Sequence, residues 1–113
     1  DYKEKYIKYK SKINLQNTKF KIGNKSDVID PDQVKTEKDF IDFLRKLYKE
    51  KVKDDNDKKE KYSSGKYGWE NQTISGFLEA MLAGYESIIE DNNNFDNVWT
   101  KMANIVYMGK IYE

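Results

Sequence analysis

The chain has 113 residues, of which 21 are basic and 20 acidic, so its formal net charge is only +1. This balance excludes a protein that holds DNA or RNA through a uniformly basic surface. The absence of cysteine and histidine excludes disulfides, thiolate nucleophiles and the side chain used most often as a zinc ligand or general base. With aromatic residues at 14% and no apolar run of the roughly twenty residues that span a bilayer, we expect one folded cytoplasmic domain over residues 1–113, with no membrane partner.

The near-zero net charge conceals two oppositely charged halves. Residues 1–62 carry 18 basic and 13 acidic side chains, a surplus of five positive charges. Residues 63–113 carry 3 basic and 7 acidic side chains, a surplus of four negative charges. An uneven distribution of charge can steer a partner of complementary charge, and it can equally reflect two faces of one monomer that attract each other.

Residues 1–33 form an N-terminal arm in which two patterns compete. A helical spacing connects Tyr2, Tyr6, Tyr9 and Ile13. Residues 13–22 also alternate as strands do, so we expect a short helix followed by extended chain, with a short β-hairpin as the alternative. Lysines lie between the tyrosines, but acidic residues and the lack of arginine there disfavour nucleic acid as a partner. Pro31 makes a helix through the preceding residue unfavourable, so the helical core should begin after it.

The first predicted core helix covers residues 37–53. Thr36 followed by Asp39 has the spacing of a helix N-cap with an acid in the first turn. An apolar stripe at helical spacing comprises Phe40, Phe43, Leu44, Leu47 and Tyr48. From Asp54 to Gly68 the composition is typical of a solvated loop, and its aspartates lack the glycine and terminal glutamate of a calcium loop. We therefore predict no metal site.

The second predicted helix covers residues 73–90 and should be the central core element. Its apolar face contains Ile74, Phe77, Leu78, Met81, Leu82, Tyr85, Ile88 and Ile89. At about 100° per residue, Glu79, Glu86 and Glu90 share a different face, which we call the acidic ridge. Small residues at positions 80, 83 and 84 would permit close approach by another element.

A third helix follows the polar residues 91–94, with Asp96 as its predicted cap. Its apolar side contains Val98, Trp99, Met102, Ile105, Val106 and Tyr112. Three apolar helical stripes predict a mainly α fold, in which residues 34–113 form a compact three-helix core and the N-terminal helix or hairpin packs against it. A small α+β fold is the alternative.

The sequence offers little for catalysis. Glu79 and Glu86 lie two helical turns apart on an exposed face rather than facing each other across a substrate. The chain has no recognisable pairing of nucleophile and base and no glycine-rich loop that could hold a phosphate. These absences favour a protein that is not an enzyme and that uses no cofactor.

Two segments centred on tryptophans resemble the motifs of a small bacterial family known only as domain of unknown function 7660. The first is Trp69-Glu70-Asn71-Gln72-Thr73 continuing through Phe77-Leu78-Glu79-Ala80, and the second is Trp99, Ala103, Ile105 and Lys110-Ile111-Tyr112-Glu113. The resemblance covers about residues 34–113 and implies no activity. For its motif residues we expect structural roles: Trp69, Trp99 and Tyr112 pack against the helices, Asn71 or Thr73 caps a helix, and Glu70 bonds to exposed backbone donors.

The leading hypothesis is a non-catalytic bacterial domain that binds another protein, with an immunity protein that neutralises a cognate toxin as its specific form. The acidic ridge of Glu79, Glu86 and Glu90 would contact a basic surface of that toxin. One alternative is a small-ligand-binding or enzymatic domain whose pocket is built from Trp69, Glu70, Tyr85 and Trp99. Another is a structural module that oligomerises through an apolar surface patch.

Overall fold

A computed structural model describes residues 7–9, 11, 13, 29–57, 66–88 and 95–112, together with the backbone of residues 89 and 90. A 3-10 turn at Pro31–Gln33 precedes three α-helices, α1 at Glu37–Asn56, α2 at Ile74–Glu90 and α3 at Val98–Ile111. The described N-terminal residues 7–9, 11 and 13 are also helical. The mainly α fold is therefore confirmed, whereas the hairpin alternative falls on residues 14–28, outside the described part of the chain.

Helix α1 begins as its sequence predicts. The Thr36 hydroxyl oxygen accepts a hydrogen bond of 3.1 Å from the Asp39 backbone N–H, which satisfies one of the free donors of the first turn. The Asp39 carboxylate in turn accepts from the Lys35 backbone N–H at 3.0 Å. This backbone hydrogen bond lowers the pKa of Asp39 because it stabilises the ionised carboxylate.

Helix α1 ends later than predicted. It continues to Asn56, so the prediction that a solvated loop begins at Asp54 is wrong. The Asp54 side chain is completely buried, and the Lys51 Nζ lies 2.9 Å from its carboxylate. Because that contact offsets the cost of burying the charge, the inward-facing series of Leu47, Glu50 and Asp54 extends the helix by another turn.

Helix α2 turns a different face inward from the one its apolar stripe predicts. The exposed fractions are 81% for Ile74, 51% for Leu78, 66% for Leu82 and 38% for Tyr85. The buried side of α2 consists of Ala80, Gly84, Ser87 and Ile88, of which only Ile88 belongs to the predicted stripe. The prediction that these large apolar residues line the core is therefore wrong for the four exposed ones.

The buried face of α2 is formed by small residues because α3 approaches it closely. A Cβ atom added to Gly84 would lie only 2.2 Å from Met108 Sδ. On α3, a Cβ added to Gly109 would lie 2.6 Å from Phe77 Cε2. Two glycines therefore set the spacing between these helices, which confirms the expected role of the small residues in α2.

Helix α3, rather than α2, occupies the centre of the core. Its inward residues Ala103, Tyr107, Met108 and Ile111 are almost inaccessible to solvent. The N-cap is Asn97, whose Oδ1 accepts from the backbone N–H groups of residues 99 and 100, so the prediction of Asp96 as the cap is wrong. Since an amide can also donate, Asn97 Nδ2 binds the carbonyl of residue 35 at 2.8 Å, a contact that an aspartate cannot make.

The described part of the N-terminal arm packs on α3. Tyr9 and Ile13 are buried in the core, and the Tyr9 hydroxyl donates to Asn104 Oδ1 at 2.9 Å. Asn104 Nδ2 also donates to the Asp32 carboxylate at 3.1 Å, which connects α3 to the 3-10 turn. Within the described residues, none of the helices combines the length and the apolar character needed to cross a membrane.

Candidate functional site

The first family motif anchors its tryptophan to α1. Trp69 is buried, and its indole N–H donates to Glu50 Oε1 at 2.8 Å. The indole also stacks near Phe77 of α2, with ring centroids 6.3 Å apart. Trp69 therefore joins the segment that precedes α2 to a carboxylate on α1.

The second family motif supplies the cation for the same carboxylate. Lys110 Nζ lies 2.6 Å from Glu50 Oε1, and the two side chains are only 1% and 9% exposed. The ammonium group also lies 5.7 Å from the centroid of the Trp69 ring and 5.2 Å from that of Tyr107, within range of cation–π attraction. Trp69, Glu50, Lys110 and Tyr107 thus form one buried group, which we call the motif cluster.

Burial shifts the pKa values of Lys110 and Tyr107 in the motif cluster. Removal from water lowers the pKa of Lys110, and the negative charge of Glu50 only partly opposes this shift. Burial also raises the pKa of Tyr107, and the charge of Glu50 adds to that effect. Tyr107 is consequently held neutral well above the pH at which an exposed tyrosine ionises.

Asn71 connects the two motifs through the backbone. Its Nδ2 donates to the carbonyls of Gly109 at 2.9 Å and Tyr112 at 3.1 Å, two acceptors at the C-terminal end of α3. The backbone N–H of Glu70 donates to the carbonyl of Lys110 at 3.0 Å. Asn71 therefore caps the end of α3 rather than the start of α2, and it satisfies carbonyls that have no partner within the helix.

The other motif residues lie at separate places. Thr73 Oγ1 accepts from the Gly76 backbone N–H at 3.0 Å, in the first turn of α2, whereas the Glu70 side chain points to solvent. The Tyr112 hydroxyl shares a hydrogen bond with Ser87 Oγ of α2. Trp99 is half-buried and packs near Phe40 of α1, with centroids 5.9 Å apart.

Two cavities open along α1, and their described lining residues do not include Trp69, Glu70, Tyr85 or Trp99. Lysines of lowered pKa can act as nucleophiles, whereas Lys110 is buried and lies 2.6 Å from Glu50. Across the described residues, no group of three or more acidic side chains is placed to hold a metal ion.

The acidic ridge lies on the solvent side of α2. Glu79 and Glu86 are exposed, while the side chain of Glu90 is outside the described residues. Helix α2 contains no lysine or arginine. At about 100° per residue, the two glutamates lie beside the exposed apolar row, on the side of the helix away from α3. We call this combined surface the α2 outer face; it comprises Ile74, Leu78, Glu79, Leu82, Tyr85 and Glu86.

An exposed part of α3 adjoins the α2 outer face. Lys101 Nζ lies 5.6 Å from the centroid of the Tyr85 ring. Val98 and Met102 are 61% and 39% exposed and share one side of α3 with Lys101, because residues three and four apart are neighbours on a helix. The apolar surface therefore continues from α2 onto the start of α3.

These features define a small helical domain with two sequence motifs joined in one buried cluster and an exposed apolar and acidic helix face. The chain belongs to the family of unknown function DUF7660, whose model matches residues 36–113. The resemblance seen in the sequence is thereby confirmed. No curated protein and no solved structure matches the chain. The matched residues include the whole motif cluster and the α2 outer face.

Proposed function

We propose that this protein is a non-catalytic domain that binds another protein through the α2 outer face. The observation that supports the proposal is the exposure of Ile74, Leu78 and Leu82 in one row on α2. An apolar helix usually buries such a row against its own domain. Here the inner side of α2 is already occupied by α3, so the row remains available to a partner.

The energetic gain from covering this row is substantial. Complete burial of an exposed leucine or isoleucine contributes about 1.5–3 kcal/mol, and a few such anchors dominate the affinity of many interfaces. Tyr85 adds an aromatic ring, one of the residue types enriched at binding hot spots. The face therefore offers several apolar anchors to a partner.

The charges beside the row define the chemistry of the partner. Glu79 and Glu86 lie along one side of the apolar residues and α2 has no cation, so a complementary surface presents lysines or arginines beside an apolar patch. Symmetric pairing of two copies through this face would bring like charges together. A basic partner is therefore favoured over the alternative of a structural module that oligomerises.

The more specific form of the proposal is a bacterial immunity protein that neutralises a basic toxin domain in the cytoplasm. An inhibitor of this kind needs no catalytic group and acts by covering a cationic surface of the toxin. The exposed anions and apolar anchors of α2 suit that task. This form adds a biological role to the coarser proposal of protein binding.

Site-specific crosslinking in the native host tests the proposal that the α2 outer face binds another protein. A photo-crosslinking amino acid replaces Leu82 in one variant and the exposed Lys38 of α1 in a control variant. We expect a basic protein to be captured at position 82 and not at position 38. Absence of any product specific to position 82, or capture of a second copy of this chain there, would contradict the proposal.

Growth measurements test the specific form separately. The captured partner is expressed alone, with the wild-type chain, or with the variant Glu79→Lys/Glu86→Lys. The immunity role predicts growth arrest by the partner alone, rescue by the wild-type chain and poor rescue by the charge-reversed variant. A partner that is harmless on its own would rule out the immunity role while leaving protein binding intact.

A further inference from the structure

A cleft along α1 lies outside the α2 outer face and shares only Glu50 with the motif cluster. Its volume is about 680 Å³, within the range of ligand-binding pockets. The lining residues are Ile29, Asp42, Arg45, Lys46, Tyr48, Lys49, Glu50, Val52, Lys53 and Tyr67. Four of these are cations and four are apolar or aromatic, so the α1 cleft offers both charge and apolar surface.

The two acidic residues of the cleft already have cationic partners. Asp42 lies 3.3 Å from Arg45, and Glu50 lies 2.6 Å from Lys110 in the motif cluster. Among the residues that the structure describes, no carboxylate lies within ion-pair distance of Lys49 or Lys53. Among the described lining residues, Lys49 and Lys53 therefore carry positive charge without a carboxylate partner, and an anionic ligand is expected.

The cations are spaced along the helix in a regular way. Arg45, Lys49 and Lys53 are each one turn apart, which separates them by about 6 Å along the axis. In an extended peptide, alternate residues point to the same side and repeat every 6.6 Å or so. Acidic side chains at alternate positions of such a peptide would match Lys49 and Lys53 in turn, and a third would reach Arg45, which also pairs with Asp42.

We propose that the α1 cleft binds an extended peptide with acidic residues at alternate positions. Val52 and the exposed ring of Tyr48 lie on the same side of α1 as the cations, so they would contact the aliphatic stems of the acidic side chains. A single strand of nucleic acid is the other linear polyanion to consider, and it stacks its bases on aromatic platforms. The aliphatic side chains of Ile29 and Val52 in the lining favour the peptide.

Fluorescence anisotropy with a labelled peptide tests the proposal. The probe is Glu-Val-Glu-Leu-Glu-Val-Glu, and its counterpart has lysine in place of every glutamate. We expect saturable binding of the acidic probe by the wild-type chain, weakened when salt rises because exposed charges are screened. The variant Lys49→Glu/Lys53→Glu should bind the acidic probe about tenfold more weakly, because repulsion replaces attraction at two positions. The same variant should gain affinity for the lysine probe.

Two further variants serve as controls, and a labelled oligouridylate serves as the competing ligand. Lys35→Glu/Lys38→Glu makes the same change in net charge at exposed positions outside the cleft, and it should alter the affinity by less than about twofold. Glu79→Lys/Glu86→Lys should leave peptide binding unchanged, which separates this proposal from that for α2. The proposal for the α1 cleft would be overturned if the wild-type chain and the variant Lys49→Glu/Lys53→Glu bound the acidic probe with equal affinity. It would also be overturned if the wild-type chain bound a labelled oligouridylate more tightly than the acidic probe.

Discussion

Replacement of Lys110 by methionine removes the cation of the motif cluster while keeping a long side chain in its place. Glu50 would then remain buried with the Trp69 indole as a hydrogen-bond donor but without its cationic partner. We expect Lys110→Met to lower the free energy of unfolding by about 3–5 kcal/mol, the usual cost of breaking a buried ion pair on one side.

The size of the effect follows from the geometry. At an effective dielectric constant of about 20, unit charges separated by the 2.6 Å between Lys110 and Glu50 attract each other by about 6 kcal/mol. Desolvation of both groups offsets much of this attraction. The double variant Glu50→Gln/Lys110→Met removes both charges and keeps an acceptor for the indole. Its loss in free energy of unfolding should therefore be about 2–3 kcal/mol smaller than the sum of the losses in the two single variants.

Urea unfolding of the wild-type chain, both single variants and the double variant at neutral pH measures this coupling. Arg45→Met is the control, because Arg45 forms an exposed ion pair with Asp42 and its loss should cost no more than about 1 kcal/mol. If Lys110→Met costs as little as Arg45→Met, or if the two cluster changes are additive, the reasoning on the buried pair is refuted.

Other parts of the fold give predictions of similar precision. Asn71→Ala leaves two carbonyls at the end of α3 without their donor and should cost about 1–3 kcal/mol in urea unfolding; an unchanged midpoint would show that the cap is unimportant. Gly84→Ala should cost about 1–3 kcal/mol through overpacking against Met108, and Met108→Ala in the same chain should reduce the penalty of the added methyl group; equal penalties in both backgrounds would contradict the close contact. Tyr107 keeps its proton in the folded chain while the unfolded chain releases it near the ordinary value of 10.0, so stability should fall as pH rises above that value. The free energy of unfolding of the variant Tyr107→Phe should fall less steeply over the same pH range. If the two proteins gave parallel curves of this free energy against pH, the assignment of the effect to Tyr107 would be refuted.

The sequence predicted the features that depend on neighbouring residues alone. The cap at Thr36 and the start of α1 follow from local hydrogen bonding, and the start of α2 was correct to within one residue. The cap of α3 was wrong because Asn97 is selected by a second contact, with the carbonyl of Lys35, which is distant in sequence. Local patterns cannot reveal a contact of that kind.

Which face of α2 is buried depends on its partner rather than on its own periodicity. Hydrophobicity alone placed Leu78 and Leu82 inside, whereas the close approach of α3 at Gly84 turned the small residues inward. Glu50 was missed as a site residue because it is charged. Its position three residues after Leu47 in the buried series was the available signal, and the lysine of the closing motif, Lys110, was its counterpart.

The affinity of the crosslinked partner for the α2 outer face is the most direct test of the proposed function. Isothermal titration compares the wild-type chain with Glu79→Lys/Glu86→Lys and with Glu70→Lys/Asp96→Lys, which makes the same charge change at exposed sites outside α2. We predict that the first variant weakens the complex at least about tenfold and that the second changes it less than about threefold. Equal affinities for all three proteins would contradict binding through this face.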